Sequence, residues 1–363
     1  VAVSLMAGCP FIKPIQYTFT SANQNGYRNF WDVLAPGAMD DTAEFEGDSG
    51  GEAPEREVVE PDVIRRDGNL LYVLNQYRGL TIANLDTNQL LAQVPTYGYP
   101  RDLYVVDGKA YVLTGYAVDY AETDGVITVD VGSRIYVVDV ADPATAAVTG
   151  SFELAGDFQD SRLVGDVLYA VSANFEWQYG EVAGDGTVSV GDVGEKMDWN
   201  KQQTSSSWVT SVNLADPANI AVVDTLSFDG YGSIIQATNF AMFVASYDWN
   251  TDQSVITYVD IADPDGAISV RGNITVQGNV ADRFKMDAYQ GVLRVVSNTN
   301  WQNRNVYVTT VDLANPDALA VLGSASIEGA AGETLFATRF DGPRAYVVSY
   351  FMVDPLFVLD LSD

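Results

Sequence analysis

Asp62, Asp102 and Asp160 each stand five positions ahead of a hairpin turn, at the start of the strand that leads into it. Asp282 and Glu333 follow glycine-containing connections at comparable places. If these strands are the innermost of a radial array, the five carboxylates ring the mouth of its channel. Oxygen donors gathered in a narrow opening make a cation site, and calcium is its natural guest. The competing reading has each carboxylate accepting backbone N–H groups or pairing with Arg101, Arg162, Arg283 or Arg339 nearby.

A second constellation is aromatic. Tyr77, Tyr116, Trp177, Tyr247, Trp249, Trp301 and Tyr350 all fall where the second strand of a repeat gives way to the loop before its third. Asn75, Gln76, Asn174, Gln178, Asn250, Asn298, Asn300 and Gln302 are interleaved with them. Rings bury the apolar faces of a ligand while amides orient its polar edges, a combination that suits sugars and extended peptides. The same rings would alternatively cap and pack the ends of the sheets. Two of these loops are long, 116–133 and 174–207, and rich in acid, the kind of insertion that sets specificity on a rigid scaffold.

Much other chemistry is excluded. The chain has no histidine, which removes Ser-His-Asp triads, Cys-His dyads and imidazole metal sites together. Its single cysteine makes neither an internal disulfide nor a thiolate zinc site. Nineteen cationic side chains against 49 acidic ones give a formal net charge of -30, which repels a nucleic-acid backbone. No cofactor is called for, calcium apart. Catalysis by a carboxylate pair, as in a polysaccharide lyase or glycoside hydrolase, stays open, but carboxylates are too many for the sequence to single out two.

The elements that position these residues repeat. A hairpin recurs as RDGNLLYVLNQY (66–77), VDGKAYVLTGY (106–116), VGDVLYAVSANF (164–175), TNFAMFVASYDW (238–249), YQGVLRVVSNTNW (289–301) and FDGPRAYVVSYF (340–351). Asp67-Gly68, Asp107-Gly108 and Asp341-Gly342 supply the positive φ values that tight hairpin turns demand. A partner strand ending in Asp or Asn follows each, as in RIYVVDVADPAT (134–145) and ITYVDIADPDG (256–266). Asp142-Pro143, Asp216-Pro217 and Asp263-Pro264 are turn chemistry, Asp capping its own turn and Pro presetting φ. Four strands per repeat of about 40 to 50 residues is the period of a propeller blade. The expected fold is therefore all-β, a β-propeller of four-stranded antiparallel blades, rather than a long sandwich. About six blades are seen, the last incomplete at Asp363, and residues beyond it are expected to complete the ring.

The start reads differently. Residues 1–9, VAVSLMAGC, match the small-residue pattern before the lipid-bearing cysteine of a bacterial lipoprotein, so Cys9 is expected to carry lipid after a truncated signal. Residues 10–60 form an acidic linker with glycine and proline, and residues 61–363 the propeller. Clustered acids such as Asp40, Asp41 and Glu44 lack the spacing of a calcium loop and read as a solvated run.

From about Val59 onward, VEPDVIRRDGNLLYVL (59–74), FKMDAYQGVLRVVSNTNW (284–301) and ETLFATRFDGPRAYVVSYFMVDPLFVLDLSD (333–363) resemble secreted bacterial and archaeal proteins with a C-terminal β-propeller domain, distantly related to WD repeats. That resemblance implies the architecture and secretion, and carries over no catalytic residue. The expected protein is extracytoplasmic, lipid-anchored to a bacterial cell envelope at the outer membrane or secreted. Its expected partners are a cell-surface protein, a peptide or a polysaccharide, with no nucleic acid, and a structural role at the cell surface is the further alternative.

Overall fold

The computed structural model describes residues 56–362 apart from 124–125, 177–203, 301, 303 and 351–355. Cys9, Trp177 and Trp301 lie outside the described residues, as does the linker up to residue 55. The chain folds into consecutive antiparallel sheets. After a short β1 (Val58–Val59), the first comprises β2 (Ile64–Asp67), β3 (Leu70–Asn75), β4 (Gly79–Asn84) and β5 (Gln89–Val94). The second holds β6 (Tyr99–Val106), β7 (Lys109–Thr123), β8 (Val126–Asp139) and β9 (Ala147–Leu154). The third holds β10 (Asp157–Val164), β11 (Val167–Glu176), β12 (Thr204–Asn213) and β13 (Ala221–Asp229). The fourth is β14 (Gly232–Ala237), β15 (Ala241–Asp248), β16 (Gln253–Asp260) and β17 (Ser269–Gln277). The fifth is β18 (Met286–Tyr289), β19 (Val292–Asn298), β20 (Val306–Asp312) and β21 (Ala320–Ser326), and the sixth β22 (Leu335–Asp341), β23 (Arg344–Ser349) and β24 (Leu356–Asp360). Within each sheet the strands follow chain order, the meander of a propeller blade.

A single sheet cannot bury both of its faces, and the cores accordingly lie between sheets. Tyr72, Leu80 and Ile82 of the first sheet meet Leu103 and Val112 of the second. Tyr104, Tyr111 and Leu113 meet Phe158, Leu163 and Leu168 of the third. Comparable clusters join the third to the fourth through Tyr169 and Ile235, the fourth to the fifth through Phe243 and Leu293, and the fifth to the sixth through Val296 and Val347.

Two features recur from sheet to sheet at the loop end. One unpaired residue interrupts the first strand of four sheets: Arg101, Gln159, Ser233 and Phe336 each fall between ladder positions. Such bulges re-aim side chains at one end of a strand. A serine on the third strand then latches the next sheet. The hydroxyls of Ser133, Ser207 and Ser254 accept the backbone N–H of Phe158 (2.7 Å), Gly232 (2.6 Å) and Val280 (3.1 Å).

The turns at the other end of the sheets are built by Asp and Asn. Asn84, Asp139, Asn213, Asp260, Asp312 and Asp360, each closing a third strand, accept the N–H two residues on at 2.9 to 3.1 Å. Asp142, Asp216 and Asp263, each before a proline, do the same for Ala144, Ala218 and Asp265. Much of the negative charge is thereby placed at the end opposite the aromatic loops, by local turn chemistry rather than by a ligand.

Two expectations are corrected. Residues 116–123 and 126–133 are strand, not loop: β7 runs on to Thr123 and β8 begins at Val126. The alternating β-branched run Val126-Ile127-Thr128-Val129-Asp130-Val131 accounts for it. The end of the expected linker is folded too. Val58 and Val59 pair with Val164 and Leu163 on the free edge of β10, and Asp62 bridges Leu103. Arg56 donates to the carbonyls of Asn239 and Ile261, and the Gly165 N–H to the Glu57 carbonyl at 2.8 Å.

Candidate functional site

In these sheets the first-to-second and third-to-fourth turns lie at one end, the second-to-third turns and the connections between sheets at the other. The aromatic positions fall at the latter. Tyr77, in the β3–β4 turn, is 88% exposed, and Trp249, in the β15–β16 turn, 77%. Tyr116 and Tyr350 are also exposed. Tyr247 behaves differently. It is half-buried, donates its hydroxyl to Asp252 at 2.7 Å and packs edge-on against the Trp249 ring, with 4.8 Å between centroids. Burial and the Asp252 hydrogen bond push its phenol up to about 12.

The same end carries exposed rings that the second-to-third pattern does not include. Tyr97 and Tyr99 flank Gly98 between the first two sheets, Phe284 precedes β18, and Phe336 is the bulge residue of β22. The Phe336 and Tyr350 rings lie 6.3 Å apart. Their signal in the sequence is an aromatic beside a glycine or polar cap just after a fourth strand. Some interleaved amides build the loops instead of lining them: Asn75 Oδ1 accepts the Tyr77 N–H (2.9 Å), Asn300 Oδ1 the Gln302 N–H (3.0 Å), and Asn298 Nδ2 donates to the Asn305 carbonyl (3.1 Å).

The five carboxylates expected at a channel mouth are not gathered into a metal site. Among the described residues no three Asp, Glu or Cys side chains stand close enough to hold an ion. Asp62 accepts the N–H groups of Val63 and Ile64 at 2.7 and 3.3 Å. Asp282 accepts the Phe284 N–H at 2.9 Å and pairs with buried Lys285 at 3.0 Å. Glu333 is buried just ahead of β22. Only Asp102 and Asp160 come together, each immediately after the bulge of its strand.

Around those two a polar cluster forms. Ser161 donates its hydroxyl to Asp102 at 2.5 Å and shares a 2.9 Å hydrogen bond with the Tyr104 hydroxyl. Asp160 accepts the Ser161 N–H at 2.9 Å and Arg162 at 2.8 Å. Arg162, fully buried, also donates to the carbonyls of Ser161 (2.6 Å) and Ile235 (3.1 Å). Glu60, ahead of β2, reaches Arg162 at 3.8 Å and Arg283 at 3.3 Å. Burial, reinforced by the charge of Asp160, raises the Asp102 carboxyl to about 7, against the pull of Ser161, Arg162 and Arg283. Burial also drives the Tyr104 phenol well above its ordinary range. The cluster thus holds a carboxyl that changes protonation near neutrality. Glu60 and Ser161 escape sequence reading because neither carries a motif. At the other end of the same strands, Val59, Arg65, Arg66, Tyr104 and Leu163 line a cleft of about 250 Å³.

A family model described as "Beta propeller domain" matches residues 49–363. An uncharacterized protein of Archaeoglobus fulgidus is 35% identical over 97 residues, 26% of this chain and 14% of that protein. The uncharacterized protein MJ1554 of Methanocaldococcus jannaschii is 35% identical over 89 residues, 24% of this chain and 14% of that one. The matched stretch is thus a small part of each relative's length. Among solved structures the chain is similar to Kluyveromyces lactis Hsv2 with its complete loop 6CD, at a TM-score of 0.40 and 11% identity over 84% of this chain and 74% of that one. It is similar also to the β-propeller domain of Myceliophteria thermophila Cps50 (Swd1), at a TM-score of 0.39 and 9% identity over 84% and 85%.

Proposed function

The chain belongs to the Beta propeller domain family, and from that premise we propose that it is an extracytoplasmic interaction module, held to a cell envelope through lipid on Cys9, whose loop face binds a protein, peptide or glycan. β-Propellers commonly serve as rigid interaction scaffolds. The observation that carries the reading is the collection of exposed rings at one end of the sheets: Tyr77, Tyr97, Tyr99, Tyr116, Trp249, Phe284, Phe336 and Tyr350. Large exposed rings contribute nothing to a buried core, and rings gathered on one face mark a binding surface. Among the described residues the opposite end is lined by turn carboxylates and carries no large exposed ring.

The test compares retention of the natural chain and of a Tyr77→Ala, Trp249→Ala, Tyr350→Ala variant on immobilised xylan, mannan and peptidoglycan and on a peptide array. Loss of retention by a variant that still unfolds cooperatively, with a Tm lowered by no more than a few degrees, supports the reading; equal retention by the variant, or none by the natural chain, overturns it. Release of a Cys9→Ser variant from the envelope fraction tests the anchor.

A second reading, a carbohydrate-active lyase or hydrolase on the same scaffold, is favoured by Asp102, whose protonation changes near neutrality beside Asp160 and Arg162. Release of unsaturated or reducing ends from those polysaccharides, abolished in Asp102→Asn, would establish it.

A further inference from the structure

Where the second and third sheets meet at the loop face, the backbone brings a cation and an anion together without pairing them. Arg101 is the bulge residue of β6, exposed, with no hydrogen bond or ion pair to any other described residue. Asp157 opens β10, and its Oδ1 is buried with no hydrogen-bond partner. Both flank Gly115: a Cβ at that glycine would lie 2.9 Å from Asp157 Oδ1 and 3.9 Å from Arg101 Nε, so the two groups are no more than about 7 Å apart. Burial raises the Asp157 carboxyl, with Arg101 and the Phe158 N–H opposing.

Polar and aromatic groups complete the cup. Tyr231 is half-buried and hydrogen-bonds Gln159, and the charge of Asp157 adds to burial in raising its phenol. Tyr116 is exposed and held at φ 49, in a bulge between Thr114 and Ala117. A bulky residue in left-handed backbone is a strained arrangement of the kind that persists at ligand sites. A buried carboxylate oxygen without a donor likewise keeps its full desolvation penalty until something donates to it.

We propose that this cup is a sugar subsite, in which Arg101 donates to, and Asp157 accepts from, hydroxyls of a neutral hexose unit that lies against the Tyr116 ring. The charges choose the class. An anion meets Asp157 and a net charge of -30, and a simple cation meets Arg101. A neutral ligand rich in hydroxyls uses the fixed donors and the acceptor together, while its apolar face covers a ring.

The inference rests on the loop face being the binding surface, and its test separates the two. Saturation-transfer NMR and calorimetry are run on the natural chain with methyl α-mannoside, methyl β-glucoside, methyl β-galactoside and N-acetylglucosamine, and with glycine as a zwitterion. Expected is binding of at least one glycoside, weakened tenfold or more by Arg101→Gln and by Asp157→Asn, and unchanged in Leu322→Ala, an exposed residue of the outer strand of the fifth sheet. Asp157→Asn keeps shape, Arg101→Gln alters an exposed group, and an unchanged Tm shows that each is folded. No glycoside binding, glycoside binding indifferent to both substitutions, or binding of glycine alone overturns the subsite. If the array peptides are still retained in such a case, the loop-face reading stands and only the sugar subsite falls.

Discussion

The Ser161 hydroxyl donates to the Asp102 carboxylate at 2.5 Å, joining the first strands of the second and third sheets. Burial raises that carboxyl from 3.8 to about 7, so the folded chain holds its proton more tightly than the unfolded chain does. The stability this confers is fully present below about pH 4 and is lost as pH rises through about 7. At roughly 1.4 kcal/mol per unit, the change across that window is at most about 4 kcal/mol. Urea midpoints at pH 5 and pH 8 should therefore differ for the natural chain and differ much less for Asp102→Asn. The -30 charge also weakens the fold as pH rises, but it does so in both proteins. A pH dependence identical in the variant would refute the assignment.

Glycine is required between sheets for a reason that two positions separate. Gly278 has φ 76, and a Cβ there would lie 2.7 Å from the backbone carbon of Asn298 on the next sheet; Gly291 has φ 78 with nothing within 4 Å. Gly291→Ala incurs the left-handed backbone alone, about 1 to 2 kcal/mol. Gly278→Ala adds a clash with main chain that cannot give way without moving β19. Chemical denaturation should find Gly278→Ala the less stable by 1 kcal/mol or more, and equal losses would show that packing across the sheets plays no part.

How much of this was legible in the sequence follows from the range of each interaction. The Asp-Gly hairpins and Asp-Pro turns are local. Gly68, Gly108 and Gly342 take positive φ, but only at Asp107-Gly108 do both residues of the dipeptide, because Asp67 and Asp341 still pair in the ladder with Leu70 and Arg344; Asp142, Asp216 and Asp263 cap as their prolines suggest. The exposed ring in the turn after a second strand is read as easily, because strand periodicity fixes where the turn comes. Asp102 and Ser161 are 59 positions apart, and their meeting depends on a bulge at Arg101 and another at Gln159 that no periodicity announces. β1 is invisible for a simpler reason: two residues carry no alternation. The carboxylate ring was expected from equal spacing, but spacing says nothing of the nearer N–H groups and cations that engage Asp62 and Asp282 first.

The loop-face rings differ from core rings in what their loss does. Tyr77→Ala should leave the unfolding free energy measured in urea within about 0.5 kcal/mol of the natural value, since the ring is exposed. Trp249→Ala forfeits the edge contact with Tyr247, about 0.5 to 1.5 kcal/mol. Tyr104→Ala, inside the core between the second and third sheets, should lose about 3 to 5 kcal/mol. A Tyr77→Ala loss approaching that of Tyr104→Ala would make the ring structural and remove it from the binding face.

Arg294 supplies the sharpest test of how the fifth and sixth sheets are joined. It is buried, pairs with Asp287 through two nitrogens, donates to the Gly342 carbonyl in the β22–β23 turn at 2.5 Å, and stands over the rings of Tyr289 and Phe340 at 4.6 and 5.0 Å. Arg294→Met keeps much of the stacking volume but strands the Asp287 carboxylate, which should cost about 3 to 5 kcal/mol. Adding Asp287→Leu removes the stranded charge, and the double variant should recover most of that loss while still lacking the tie to Gly342. The order of stability in urea is then natural chain, double variant, Arg294→Met. A single variant as stable as the double would mean that Asp287 finds water or another donor, and that the tie between the sheets is made by the rings.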